Sequence, residues 1–214
     1  IDVALLYQPE TFALLHSETY RVPYDSLRER PTRDLLHAAG RLPFGDTLDV
    51  FVVHFPSRRG GATVSEPYRL RAARILRHLA DSIARCRHTP RLLAMGDFND
   101  EPHNASVSRV LAPTFAELTS HATPFPAEGH DDIEGSYYFR GEWSRIDQIL
   151  VSPALLSPTM KFHTTLQSVH LLAFPPLLEP LGRGTLSKPF RTYLGPFYHG
   201  GISDHLPLCV DFSY

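Results

Sequence analysis

An α/β fold is predicted by three features of this sequence. The run "LDVFVVHF", residues 48–55, is rich in β-branched and aromatic residues and reads as a buried strand. Across residues 65–86 apolar side chains recur at intervals of three and four, the period of one buried helical stripe. "RLLAMG" at 91–96 is a second buried strand, and a strand, long helix, strand succession lays a helix on a sheet. With 214 residues, 43% of them hydrophobic and 21% charged, the chain can bury a sizeable core, so 1–214 is predicted to be a single domain.

The elements follow in chain order. "IDVALLYQP" at the start is apolar enough for a strand. After strand 48–55, "PSRRGG" is a loop. The helix then buries Tyr68, Ala72, Ile75, Leu79, Ile83 and Cys86, with Ser65 as its cap and Pro67 in its first turn. Arg71, Arg74, Arg77 and Arg85 fall largely off that stripe, on a solvated face. Residues 104–111 form a short helix and 121–134 a polar, proline-containing loop. His130, Asp131 and Asp132 in that loop are cation-compatible, although acidic loops are common without any ion. Strands resume at 136–139 and 145–152. Residues 164–200 read as one long loop, of the length that tends to be functional or mobile, with "LLAFPPLLEP" packed rather than exposed. "GGISDHLPLCVDF" closes the chain as a turn and a last strand.

Charge and cysteine count exclude several classes. A formal net charge of −2 gives no global attraction to polyanions, although the cations are almost all Arg, which suits forked phosphate contacts. Cys86 and Cys209 fit neither a disulfide framework nor a zinc site and read as small buried apolar residues. No stretch approaches the roughly 20 apolar residues of a membrane span, and no signal-peptide pattern is present, so no stable membrane association is expected. No pattern sets the oligomeric state.

The polar residues at strand ends carry the chemistry. "MGDFNDEP" at 95–102 closes a core strand on Asp97, Phe98 and Asn99, and a carboxylate there is costly unless something compensates it. Alternation sends Asp97 and Asn99 one way and Phe98 back into packing. His54 ends another strand, Asp147 lies inside "RIDQILVS", and Asp204 and His205 precede the last strand. Singly, each has an ordinary explanation: a satisfied structural His, an Asp147 paired with Arg145 or Arg140, a turn at "SDH". Together they supply what metal-assisted attack on phosphorus needs, namely cation ligands, a base and hydrogen-bond donors.

In order along the chain, "VVHFPSRRGG", "MGDFNDEP", "RIDQILVS" and "GISDHLPL" resemble the successive motifs of the endonuclease/exonuclease/phosphatase superfamily over nearly the whole sequence. The resemblance implies a four-layer α/β sandwich of two mixed, mostly antiparallel sheets flanked by helices, with the site at one end. It implies a metal-dependent phosphoesterase, nuclease or phosphatase, that hydrolyses its ester by in-line attack of an activated water. Asp97 would activate that water and Asn99 would hold it or the developing phosphorane oxygen. His205 would pair with Asp147 and stabilise charge as imidazolium, and His54 would donate to a non-bridging oxygen. Asp204 would help hold a divalent cation, Mg²⁺ or Mn²⁺.

The resemblance implies a phosphate ester as substrate, with nucleic acid among the candidates, and Arg58, Arg59 and Arg191 are the predicted contacts, Arg183 and Lys188 lying on the same rim. A lipid surface touching 171–181 is the remaining substrate alternative. The resemblance also implies an upstream Asn and a metal-binding Glu ahead of the strand at "IDVALLYQP". The chain therefore reads as the C-terminal two thirds of such a domain, with Glu10, Glu18 and Glu29 not promoted in their place and Asp2 only a weak match to an orienting acid. Two consequences are expected: an apolar surface near residues 1–9, and a cation held weakly or not at all, leaving these residues alone inactive. The alternative from another class is a catalytically inactive binding module of the same fold.

Overall fold

The computed structural model describes residues 3–23, 32–126, 129, 132–182 and 186–214. The first strands are β1 (Ala13–Tyr20), β2 (Leu35–Arg41) and β3 (Thr47–His54), each antiparallel to the next. Helix α1 (Ala62–Cys86) then crosses over to β4 (Arg91–Asp97), which lies parallel to β3. This is the strand, helix, strand unit expected from the sequence. A π-helical turn at Ser106–Leu111 and the short strands β5 (Ala116–Glu117) and β6 (Thr123–Phe125) follow. The hairpin β7 (Tyr137–Phe139) and β8 (Glu142–Ser144) leads into β9 (Asp147–Val151).

Where one long loop was expected, residues 164–200 fold into β10 (Val169–Leu172), β11 (Leu178–Pro180), β12 (Ser187–Pro189), β13 (Tyr193–Leu194) and β14 (Phe197–Tyr198). Strands of two to four residues are too short to leave a period in the sequence. The chain closes with β15 (Leu208–Val210).

Two mixed sheets result, the larger mostly antiparallel, with three two-stranded pairs beside them among the described residues. The larger has the order β1-β2-β3-β4-β9-β5 and the smaller β15-β10-β6. Between them lies one core, built from alternate residues such as Val50, Val52, Leu93, Ile149, Val169 and Leu171. The other face of the large sheet buries Phe51, Val53, Leu92, Ala94 and Leu150 under Ala72, Ala73, Leu76 and Ala80 of α1. The two alternating sets on each of β3, β4 and β9 are why these strands read as continuous apolar runs. Three layers of the expected sandwich, helix, large sheet and small sheet, are thus present among the described residues, and α1 is the one long helix among them.

Four local expectations are corrected. Residues 3–8 pair with no strand among the described residues; Val3 and Leu5 pack on the inter-sheet core while Leu6 is 97% exposed. A groove of about 510 Å³, lined by Leu5, Leu6, Tyr7, Phe12, Leu93 and Met95, is the apolar surface expected there. The helix starts earlier than read: Gly61 is its N-cap, Pro67 lies in the second turn, and Ser65 donates to the Gly61 carbonyl (2.8 Å) from inside the helix. The buried stripe is turned accordingly, taking in Ser65, Arg69, Ala73, Leu76 and Ala80, with Ile75, Leu79 and Ile83 at its margin. Finally, Cys86 is exposed and Cys209 half-buried; neither forms a disulfide.

Candidate active site

β3, β4 and β9 are neighbours in the large sheet, and register places His54 beside Asp97 and Asp97 beside Asp147. One sheet end therefore carries three of the predicted residues by hydrogen bonding of the backbone alone. Gly96 permits the close approach: its φ is +133°, and a Cβ there would stand 2.0 Å from the Val53 carbonyl oxygen. Phe98 is fully buried against Phe55, with ring centroids 4.7 Å apart, and this anchors the turn that follows. Asn99 then adopts φ +50°, a left-handed conformation that Asn tolerates better than most residues.

That turn brings Asn99 back onto Asp97. The Asn99 backbone N–H donates to Asp97 Oδ1 (2.7 Å), and Nδ2 donates to Asp97 Oδ2 (3.0 Å) and to the Phe55 carbonyl (3.1 Å). His54 Nε2 lies 3.3 Å from Asp97 Oδ2. Beside Asp97 on the next strand, Asp147 Oδ2 lies 2.7 Å from His205 Nδ1 and also accepts from Ser136 Oγ. Two partners fix Asp147, and Asp147 fixes the imidazole. Arg145 is no partner for it; its guanidinium donates to the Thr119 and Ala122 carbonyls.

His54, Asp97, Asn99, Asp147, Asp204 and His205 all line one cleft of about 800 Å³, a volume ordinary for a ligand site. Arg58 and Arg59 line it too, but Arg58 is also committed to the wall. Its Nε donates to the Asn99 carbonyl (2.7 Å) and its NH2 to Asn104 Oδ1 (2.8 Å). Arg191 stands behind the wall, donating to the Tyr138 carbonyl, with its guanidinium 5.1 Å from the centre of the Tyr137 ring. Lys188 is paired with Glu179 at 3.3 Å. His130, Asp131 and Arg183 lie outside the described residues, and Asp132 accepts from the Ser187 backbone (2.8 Å).

The charges differ sharply in environment. Burial, reinforced by the neighbouring Asp147 charge, pushes the Asp97 carboxyl up to about 6. Burial and the charge of Arg33 push His54 down to about 4, so its imidazole is neutral at pH 7. For His205 burial works downward, but the hydrogen bond and charge of Asp147, with Asp97 and Asp204, outweigh it and hold the imidazolium above its ordinary range. Arg33, Tyr137 and Phe139 are members of this environment that the sequence did not single out, and Arg140, read only as a possible partner of Asp147, lines the cleft with them. Asp204 and Asp97 offer oxygens suited to a hard cation. Among the described residues, however, no three His, Cys, Asp or Glu side chains group as a cation site, so no step is assigned to one.

The raised Asp97 carboxyl has a consequence for stability. An Asp whose pKa is higher folded than unfolded destabilises the folded state once ionised. The cost is absent below the unfolded value near 4, grows up to about 6, and is complete above it. Two pH units correspond to roughly 3 kcal/mol, from which the acceptor lost to Asn99 must be subtracted. Asp97→Asn is therefore expected to be more stable than the wild type at pH 7–8 and to lose that advantage below about pH 4. Urea unfolding across this range in the presence of a chelator checks it, and a pH-independent difference between the two proteins would remove the argument.

A family model described as the endonuclease/exonuclease/phosphatase family matches residues 1–213. No curated protein matches the sequence. Among solved structures, a conserved protein of unknown function from Enterococcus faecalis aligns over 97% of this chain and 69% of its own, at 17% identity and TM-score 0.59. An endonuclease/exonuclease/phosphatase from Bacteroides vulgatus aligns over 97% and 68%, at 16% identity and TM-score 0.59. TDP2 from D. rerio, solved with a single-strand DNA product, aligns over 94% and 68%, at 17% identity and TM-score 0.57. At these identities the likeness is one of fold. No helix among the described residues is long and apolar enough to cross a membrane.

Proposed function

The chain belongs to the endonuclease/exonuclease/phosphatase family, and from that membership we propose that its cleft hydrolyses a phosphate ester by in-line attack of water. The observation that carries the reading is the convergence in one cleft of a buried carboxylate and an imidazole held by a second carboxylate. Asp97 is a base of pKa about 6 whose oxygens are aimed by Asn99 and His54. His205 is held by Asp147 at 2.7 Å and keeps its proton more readily than a free imidazole.

A base works best with a pKa near the operating pH, where it is ionised yet still basic. Asp97 takes a proton from water as the water oxygen bonds to phosphorus, and the bond from phosphorus to the leaving oxygen breaks on the opposite side. The negative charge gathered on the phosphorane oxygens faces the His205 imidazolium, which needs no reorganisation. Asn99 Nδ2 gives both of its protons to Asp97 Oδ2 and the Phe55 carbonyl, so Asn99 and the neutral His54 aim the base without adding charge that would weaken it. A divalent cation, Mg²⁺ or Mn²⁺, would add Lewis-acid stabilisation to the same oxygens. Asp204 is the residue we assign to touch it.

The test is hydrolysis by the 214-residue chain, with Mg²⁺ or Mn²⁺ supplied, of single-stranded and plasmid DNA, RNA, inositol phosphates and sphingomyelin. Turnover of at least one of them, slow because Asp204 alone holds the cation weakly and abolished in Asp97→Ala, is the expected result. Binding without Asp97-dependent turnover of any would identify a binding module in place of an enzyme.

A further inference from the structure

The β7–β8 hairpin forms one wall of the cleft, and its alternation divides it into two faces. Tyr138 and Trp143 point to one side and meet edge to face at 5.2 Å, Trp143 packing on the core. Tyr137 and Phe139, with their cross-strand partners Ser144 and Glu142, line the cleft. The two cleft rings are nearly parallel, 18° apart at 6.1 Å, and Tyr137 lies 4.7 Å from the His205 ring. Phe139 is thus one ring further out from His205, and it is 52% exposed.

The turn extends this row. Arg140 and Gly141 are the two loop residues, and both have positive φ, +54° and +95°. Such a two-residue hairpin turn favours Asn or Gly at its first position, and Arg there carries the steric cost of a left-handed Cβ. The conformation sets the Arg140 guanidinium 5.2 Å from the centre of the Phe139 ring. The inner end of the row is fixed as well, by Arg191 over the Tyr137 ring. A held ring, an exposed ring and a flat guanidinium therefore follow one another outward from a residue assigned to the phosphate.

We infer that Phe139, with Arg140 over it, is a stacking subsite for the nucleobase next to the scissile phosphate, so that the substrate is single-stranded nucleic acid or a nucleotide derived from it. The inference rests on the phosphoesterase reading for the place of the phosphate. A half-exposed ring in a polar cleft leaves apolar area in water, which a base covers and a polyol such as inositol covers poorly. Bases of every kind stack on aromatic and guanidinium planes, so the subsite reads planarity and not sequence. An unstacked strand is required, because the faces of a base within a duplex are already occupied by its neighbours.

The experiment measures binding separately from turnover. Fluorescence anisotropy with labelled oligothymidylate, oligouridylate and an abasic oligomer of equal length is read in the Asp97→Asn background, which keeps the probes intact. Stacking is worth about 1–3 kcal/mol per base, so the base-bearing oligomers are expected to bind about 5- to 150-fold more tightly than the abasic one. Phe139→Ala should erase that preference and Phe139→Trp should keep it, with the oligothymidylate and oligouridylate arms showing whether the sugar matters. No binding of the base-bearing probes, no preference in the parent protein, or a preference that survives Phe139→Ala overturns the inference. Preference intact, with turnover absent from the protein that keeps Asp97, would instead remove the catalytic reading and leave the stacking subsite standing.

Discussion

Alanine at Asp97 or at His205 is expected to lower kcat/KM on the best substrate by about 10²–10⁴-fold, with the fold intact. Asp97 is the carboxylate nearest His54 and receives both Asn99 donors, so its removal takes away the base and frees Asn99 at once. His205 is removable for a different reason: it carries the positive charge, and Asp147 would be left without the imidazole that offsets it. Residues acting as one unit are not additive. The double variant is therefore expected to be little worse than the more damaged single one. Asp147→Asn keeps the shape of the pair but removes its charge, so His205 should lose its proton at lower pH and the rate should fall at a lower pH than in the wild type. Single-turnover rates across pH, with circular dichroism as a check on folding, decide this. A near-wild-type rate in Asp97→Ala would place water activation elsewhere.

How far the site was legible follows from how each residue is held. Asp97, Asn99 and His54 could be read because they end long buried strands, where a polar side chain has no apolar purpose. Asp147 and His205 could be read only as motifs; 58 residues separate them, and nothing local says that they meet at 2.7 Å. β1 was illegible because seven of its eight residues are exposed, which leaves no alternation on an edge strand. β2 is rich in Ala and Gly and lacks the β-branched signature. The stripe of α1 was misplaced because only apolar residues were counted toward it, whereas Arg69 is 1% exposed. Arg140 was hidden for a related reason: its importance lies in a backbone conformation that its residue type does not announce.

Arg69 also carries the largest expected effect on stability. Its Nε lies 2.7 Å from Asp100 Oδ1, and Asp100 is itself only 2% exposed. The other guanidinium nitrogens donate to Ser65 Oγ (2.7 Å) and to the Ala62 carbonyl (2.8 Å), both within α1. Asp100 accepts from Ser106 Oγ (2.7 Å), while its carbonyl accepts from Gln148 Nε2 of β9 (2.9 Å). This buried pair thus ties α1 and the π-helical turn to the loop that carries Asp97 and Asn99. Replacing either partner strands the other charge out of water, which costs about 3–5 kcal/mol, whereas replacing both with apolar residues of similar volume costs much less. Arg69→Met and Asp100→Leu are each expected to lose about 3–5 kcal/mol in urea unfolding, and the double variant less than their sum. That loss approaches the whole stability of many domains, so Ser106→Ala, expected to cost about 1–3 kcal/mol, gives a measurable case should the larger ones not fold. Because Asp100 follows Asn99 directly, Ser106→Ala should also loosen the turn onto Asp97 and lower turnover without touching the cleft. Unchanged stability in both Ser106→Ala and Arg69→Met would show that the pair does not hold the catalytic loop.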